Sequence, residues 1–333
     1  MNVGPVHIPI LLQPIVDGLI QPLRKLAVNA PAALIIDCTF GGGGHTGALL
    51  DALVADPTLN RHSVLALDRD PGAVERGRVR YARALAEGRL FLEHAPFSQA
   101  PEIVTRMRAA AGISASTHTS APAGQTLPVL GVLADLGFSS DQMDDPERGL
   151  SIRQNGPLDM RLDTSQGESC RELLARIPER ELADIIFNFG EERFSRRIAA
   201  QIIWARQEKR LPQTTQELAE LVVRAIPGAA RQGDRSGRIH AATRTFQALR
   251  IAVNGELEEL DSLLKHAMIL IAPPGRMAVM SFHSLEDREV KRFFRSKENG
   301  FNPLTKKPLE ADDAEVAQNS RSRSAKLRIA ERI

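Results

Sequence analysis

The chain is short of cysteine and has no long apolar run, and each lack removes a class of protein. Its 333 residues include two cysteines, Cys38 and Cys170, which fit neither a zinc nor a redox spacing. They are expected to be buried or half-buried thiols in a reducing cytoplasm. No metal-ligand cluster is visible. No apolar stretch approaches the roughly 18 residues that a membrane span requires. The opening "MNVGPVHIPILLQP" lacks a basic segment followed by an apolar run of signal-peptide length, so export is not expected. The formal net charge is only +2, so the distribution of charge must decide whether nucleic acid is a partner. What is present, 43% hydrophobic and 25% charged residues, is ordinary for a soluble globular protein. The length allows two domains, or one domain with an insertion.

Strand and helix alternate in the first part of the chain. "AALIID" (32–37) and "SVLALD" (63–68) read as buried parallel strands that each end in an acid, followed by "RLFLEH" (89–94) and "LPVLGVLADLG" (127–137). Between them "HTGALLDALVAD", "PGAVERGRVRYARALAEG" and "SQAPEIVTRMRAAA" have helical periods. This alternation predicts an α/β doubly wound parallel sheet with its ligand at the carboxyl ends of the strands. Residues 111–126, "AGISASTHTSAPAGQT", have no apolar period and read as a flexible surface loop.

After the first strand comes "DCTFGGGGHTGALL" (37–50). Glycines between a strand and a helix let the backbone approach a ligand closely. A dinucleotide site wants G-x-G-x-x-G, and the run Gly41–Gly44 with Gly47 matches that only loosely. A nicotinamide or flavin cofactor and a purely structural turn therefore stay open as readings of the glycines alone. The strand-end acids narrow the choice. Asp37 is placed to receive an ammonium group or to hold the loop amides, Asp68 to accept from ribose hydroxyls, and Asp135 to meet an adenine amine or a charged ligand end. Phe97 could stack on a base or sit in the core. An amino acid, a ribose and an adenine describe S-adenosyl-L-methionine better than a dinucleotide.

Further along stand "ADLGFSSDQMDDPERGLSIRQNGPLDMRLD" (134–163), "NFGEERFSRRIAAQI", "HAATRTFQALRIAVNGELEEL" and "SFHSLEDREVKRFF". With "HIPILL" near the start and "SRSRSAKLRIAER" at the end, the chain resembles the bacterial 16S ribosomal RNA cytosine-N4 methyltransferases over almost its whole length, residues 111–126 excepted. The resemblance implies a Rossmann-like class I methyltransferase sheet (1–145 and 246–333) interrupted by a smaller helical substrate-recognition domain (146–245). It implies S-adenosyl-L-methionine as cofactor, 16S rRNA of the small subunit as substrate, and cofactor contacts at Gly43, Gly44, His45, Asp68, Phe97, Asp135 and Gln142. Members often carry proline where Asp141 stands, a difference that bears on the turn beside Gln142.

The insertion is legible without the family. From about Glu168 to Thr245 the periods are helical, and "TTQELAELVVRAI" carries a threonine cap with glutamate three residues on. "FQALRIAVNGELEELDSLLKHAMILIA" then reads as one long helix and "GRMAVMSF" (275–282) as a returning strand. Arginine and lysine gather in "EERFSRRIAAQIIWARQEKR", "RQGDRSGRIHAATR" and "SRSRSAKLRIAER", where each segment is either an RNA-phosphate contact or a solvated face.

Methyl transfer to an exocyclic amine needs an acceptor for the proton the amine loses. Asp135, and His283 in "SFHSLED" with Ser281 and Ser284 beside it, are the candidates. "DLGFSS" offers Phe138 to pack on a base but lacks the proline pair of DNA amino-methyltransferases. The target cytosine must be unstacked or already outside a duplex. A DNA amino-methyltransferase, an NAD-dependent oxidoreductase and a non-catalytic ribosome assembly factor are the rival readings. Oligomeric state, monomer or homodimer, is open.

Overall fold

The structure is a computed structural model that describes residues 9–27, 29–111, 127–228 and 240–333. Residues 112–126 of the expected loop, His7 and Ile8 of "HIPILL", and residues 231–239 of "RQGDRSGRIHAATR" lie outside them. The chain forms two compact units, residues 1–137 with 258–333, and residues 138–257. The boundaries read from the sequence, 146 and 245, both fall inside the second unit.

The first unit opens with α1 (Leu12–Arg24), β1 (Leu34–Asp37), α2 (Gly44–Ala55), β2 (Ser63–Asp68) and α3 (Pro71–Arg80). A short α4 (Ala82–Ala86), β3 (Leu90–His94), α5 (Ala100–Ala110) and β4 (Val129–Asp135) follow. The second unit holds α6 (Ser140–Asp144), α7 (Cys170–Arg176), α8 (Glu179–Gly190), α9 (Ser195–Gln207), α10 (Thr215–Ala225) and α11 (Thr243–Asn254). The chain returns to the sheet through α12 (Glu256–Leu270), β5 (Ile271–Ser281), α13 (Ser284–Arg295), β6 (Phe301–Pro303) and β7 (Lys326–Arg332).

The seven strands lie in the order β3-β2-β1-β4-β5-β7-β6. The first five are parallel, whereas β7 runs antiparallel between β5 and β6. Alternate strand residues feed two cores. Ile35, Val64, Ala66 and Met280 pack with α1 and α2 on one face, and Ile36, Leu65, Val132 and Val279 with α5 and α12 on the other. Strand order reverses beside β1, which puts the crevice for a ligand at the carboxyl ends of β1, β2 and β4.

Helix α1 has no counterpart in the sequence reading, because Pro14 and Pro22 hide its apolar stripe of Ile15, Val16, Leu19, Ile20 and Leu23. Pro22 has no amide to give the Gly18 carbonyl, and Arg276 of β5 donates to that oxygen instead, at 3.1 Å. The helix expected over 71–88 is broken at Tyr81, which takes φ −109° and ψ 23°. The long helix expected over 246–272 is broken at Gly255, whose φ of +57° ends α11 in a left-handed turn.

The helical unit has a core of its own, built from Leu158, Leu174, Ile186, Ile198, Ile202, Leu218, Val222 and Leu249 among others. Cys170 belongs to it, and Cys38 to the core beneath the sheet. Asn254 fastens the turn of "LDMRLD": its Oδ1 accepts from Leu162 N at 2.8 Å and its Nδ2 donates to the Met160 carbonyl at 2.8 Å. Thr214 caps α10 by accepting from Glu217 N, while the Glu217 carboxylate reaches back to Gln213 N at 2.6 Å.

Candidate functional site

Register sorts the three strand-end acids. Asp37 is level with Ala66 of β2 and Leu133 of β4, so Asp68 and Asp135 each stand two residues higher, about 7 Å along the strands. The chain after β1 closes over Asp37, with Cys38 N bonding to Leu133 O and Phe40 N to Leu67 O. Asp37 is accordingly fully buried. Its Oδ1 accepts from Thr39 N at 3.1 Å and its Oδ2 from the Thr46 hydroxyl at 2.6 Å. Burial raises its pKa against these bonds. Of the two roles read for it in sequence, the structure shows the second: it holds the start of the glycine loop to the start of α2.

Asp68 holds the loop from the rim. Its Oδ2 accepts from Gly41 N at 2.6 Å and its Oδ1 from Asp70 N at 2.7 Å. Burial lifts its pKa to about 6, working against both amides, and the charges of Asp70 and Asp37 push the same way. The α3 cap falls to Asp70, which accepts from Gly72 N. Each Asp68 oxygen keeps a lone pair beyond these bonds, so the carboxylate can still accept from hydroxyls.

The glycines divide into packed and open positions. Gly41 and Gly43 have φ of +53° and +77°. A Cβ on Gly43 would sit 2.7 Å from the rings of Phe40 and Tyr81, and one on Gly44 would collide with Pro9. A Cβ on Gly42 would meet nothing within 4 Å, so the crest of the loop is open. Its carbonyl side is tied down from α3: Arg80 Nη1 donates to Gly42 O at 2.8 Å and the Tyr81 hydroxyl to Gly43 O at 2.7 Å. Thr39, Arg80 and Tyr81 belong to this arrangement without having been singled out in sequence. The single tyrosine of the chain, standing beside a helix with alternating arginines, carried no local signal of a partner 38 residues away.

Asp135 is the most perturbed acid of the rim. Its amide donates to Thr39 Oγ1 at 2.7 Å, which ties the end of β4 to the loop. Its Oδ1 is shielded and has no hydrogen-bond partner among the described residues, although 23% of the side chain is exposed. Burial raises its pKa to about 7; His45 opposes this, and Asp37 and Glu286 add to it. His45 stands on the first turn of α2, 3.7 Å from Asp135 Oδ2 through Nδ1, and its Nε2 donates to the Ile10 carbonyl at 3.0 Å. Pro9 and Ile10 thus give "HIPILL" a physical role as the brace of the glycine loop.

Phe97 opens a single 3-10 turn after β3 and packs half-buried against the α5 face of the core. His283 caps α13: its Nδ1 accepts from Glu286 N at 3.4 Å, and Glu286 Oε2 accepts from Phe282 N and His283 N. Its Nε2 is shielded from solvent and lies 3.2 Å from Glu286 Oε1. The ring thus caps α13 through Nδ1, whereas Asp135 stands at the strand-end rim. Gln142 lies in the second unit, where its Oε1 accepts from Ser139 N at 2.9 Å and Ser139 Oγ from Gln142 N at 3.2 Å. In that reciprocal cap Asp141 is the acid of the first turn, a position that proline also suits. Phe138, expected to pack on a base, carries the Arg250 guanidinium 4.8 Å from its ring centre.

Residues 5–333 match the MraW methylase family. The chain belongs to that family. It is 45% identical over 338 residues to the ribosomal RNA small subunit methyltransferase H of Sorangium cellulosum, covering 100% of this chain and 97% of that protein. It is 41% identical to the protein of the same name from Thioalkalivibrio sulfidiphilus, covering 99% and 98%. With the one from Synechococcus sp. (strain JA-3-3Ab) it shares 46% identity over 300 residues, 89% of this chain and 88% of that one. The seven-stranded sheet of the first unit is the Rossmann-like sheet of a class I methyltransferase. The strand-end acids and the glycine loop both lie within the matched residues.

Proposed function

We propose that this chain transfers a methyl group from S-adenosyl-L-methionine to the exocyclic N4 of a cytidine in the 16S rRNA of the small ribosomal subunit. The observation that carries this is an end-to-end match to relatives named for methylating small-subunit rRNA, combined with the strand-end geometry. The residues fit the donor. The loop crest at Gly42 is open, Asp68 presents a carboxylate at the height of a ribose, and Asp135 Oδ1 is a shielded acceptor without a partner among the described residues. Gly43, Gly44, His45, Asp68, Phe97, Asp135 and Gln142 would hold the donor. When bound, S-adenosyl-L-methionine supplies an electrophilic methyl group on a sulfonium sulfur.

The protein's own contribution is orientation and proton transfer. Asp68 fixes the loop through Gly41 and accepts from hydroxyls with its remaining lone pairs. Asp37 and Thr39 hold the loop base against β4, so the donor side and the acceptor side move as one. Asp135, with a pKa near neutrality, is charged enough at pH 7–8 to accept the amine proton and basic enough to hold it.

The test is incubation of purified protein and labelled donor with small subunits from cells lacking the enzyme, followed by nucleoside mass spectrometry. N4-methylated cytidine is the expected product. Methylation of DNA instead, or donor binding without incorporation into subunits, precursor particles or naked RNA, would replace this reading with an amino-methyltransferase of DNA or a non-catalytic assembly factor.

A further inference from the structure

We propose that His45 is the second seat of the transferred proton: Asp135 takes it from the acceptor amine and shares it with His45 Nδ1. The inference rests on the methyl-transfer reading above and assigns to His45 a role in proton handling besides any contact with the donor.

The tautomer is fixed by the fold. A backbone carbonyl can only accept, so the 3.0 Å contact with Ile10 O requires the hydrogen on Nε2. In the neutral ring Nδ1 then carries a lone pair, and that lone pair points toward Asp135 Oδ2 at 3.7 Å. With both groups deprotonated, a lone pair confronts a carboxylate inside a shielded site. One proton between them removes the conflict, and a small rotation of the carboxylate closes the distance to a hydrogen bond. A histidine needed only for packing would be satisfied by Ile10 alone.

The surroundings favour the protonated pair. His45 acts on Asp37, and the charges of Asp37 from β1 and Glu286 from α13 both act on Asp135. Their negative charges disfavour a third carboxylate, so each proton that arrives is held. His45 is 6% exposed, which leaves Asp135 as the route in; Asp135 Oδ1 is shielded while 23% of the side chain is exposed, so Oδ2 is the entry. In the transfer step the amine nitrogen uses its lone pair to bond the methyl carbon, and the carbon–sulfur pair stays with sulfur. The nitrogen then gives one N–H proton to Asp135 Oδ2. That same proton is then shared with His45 Nδ1 in an Oδ2–H···Nδ1 hydrogen bond, or passes to Nδ1 and leaves Asp135 a carboxylate. At low pH the seat is already filled and transfer slows, so the acidic limb of the rate belongs to the pair.

Two measurements test this, one without donor or activity. In the donor-free protein, ¹⁵N-histidine spectra should show His45 protonated at Nε2 across the titration. The Nδ1 signal at neutral pH should move toward that of a bare lone pair in Asp135→Asn. An Nδ1-protonated neutral ring, or an Nδ1 signal indifferent to Asp135, overturns the pair, and the wild-type tautomer reads this out without any variant. In single-turnover transfer, His45→Gln should move the acidic limb about one pH unit lower, because Asp135 then titrates alone. A positive His45 acting merely as a neighbouring charge would give the opposite shift, and an upward or absent shift overturns the proposal. If wild-type protein makes no N4-methylcytidine, the functional reading fails while the spectra still stand. If the spectra fail, methyl transfer stands without the pair.

Discussion

Asp135 in the sheet unit and Asp159 in the helical unit are both largely shielded carboxylates, at 23% and 18% side-chain exposure, yet their pKa values move in opposite directions. Burial wins at Asp135 and lifts it to about 7. At Asp159 burial also works against ionisation, but Arg161 outweighs it with Nε and Nη2 bonds of 2.8 and 2.7 Å, and the pKa falls. The same contrast runs through both units. Asp68 and Asp37 are buried with amides and hydroxyls for partners, whereas Glu256 is held by both arms of Arg250 at 2.8 and 2.9 Å. A carboxylate paired with arginine holds structure in place. One kept beside other acids and without such a partner is a candidate for chemistry.

The strongest break of this comparison is Asp135→Asn. Single-turnover methyl transfer should fall by about 10²–10⁴-fold, the usual worth of a positioned base, and donor affinity by no more than about tenfold. If affinity falls as far as rate, Asp135 is a donor ligand only. Next in size is Asp68→Ala, which removes a charged acceptor and the anchor of Gly41 together. Donor affinity should drop about 10–100-fold, read by calorimetry. In wild type the affinity should rise with pH through about 6, as the carboxylate that hydroxyl donors prefer becomes populated. A flat profile from pH 5 to 7.5 would remove Asp68 from the ribose role.

The sequence shows these acids but not their tiers. Asp37, Asp68 and Asp135 all read as strand ends, and only the pairing register places Asp37 under the loop. Periodicity was enough for the parallel strands and for the helices that bury one face. It failed where backbone conformation rather than apolar pattern decides, at Gly255 and Tyr81, and where proline disguised α1. Side chains that reach across the fold, such as Tyr81 to Gly43 and His45 to Ile10, leave no mark on local sequence. His283 looked available because its motif is polar, and its commitment to the α13 cap is visible only in three dimensions.

Stability sharpens the contrast through the sign of two substitutions. Asp135 has a folded pKa above its unfolded one, so the folded protein holds its proton longer and stability falls as pH rises from about 4 to about 7. Asp135→Asn removes that cost and should stabilise the donor-free protein at pH 8 by about 1–3 kcal/mol, with little change at pH 4. Asp159 has a depressed folded pKa, so its contribution is present above about pH 4 and disappears as pH falls through the folded value. Asp159→Asn should cost about 1 kcal/mol at pH 7 and less in acid. Denaturant titrations at the two pH values check both, and equal signs at pH 8 would dissolve the distinction between the units.

Basic segments divide as the acids do, and the smallest expected effect tests that division. The C-terminal "SRSRSAKLRIAER", read in sequence as an RNA contact or a solvated face, is in its second half β7, with Leu327 and Ala330 fully buried. Arg328 is spent there on Asp287, at 2.7 and 3.1 Å. On α9 of the helical unit Arg196 and Arg197 are exposed in the first turn, beside Arg193, which lies 4.6 Å over the Phe194 ring. Replacing Arg196 and Arg197 with glutamine should leave stability within about 0.5 kcal/mol. It should also reduce the slope of log affinity for small-subunit rRNA against log salt by about 1–2, roughly one for each phosphate no longer neutralised. Arg328→Gln should do the reverse, costing stability and leaving the slope alone. A slope unchanged by the α9 pair would return those arginines to solvent and move the search for phosphate-binding groups to Arg231, Arg235 and Arg238.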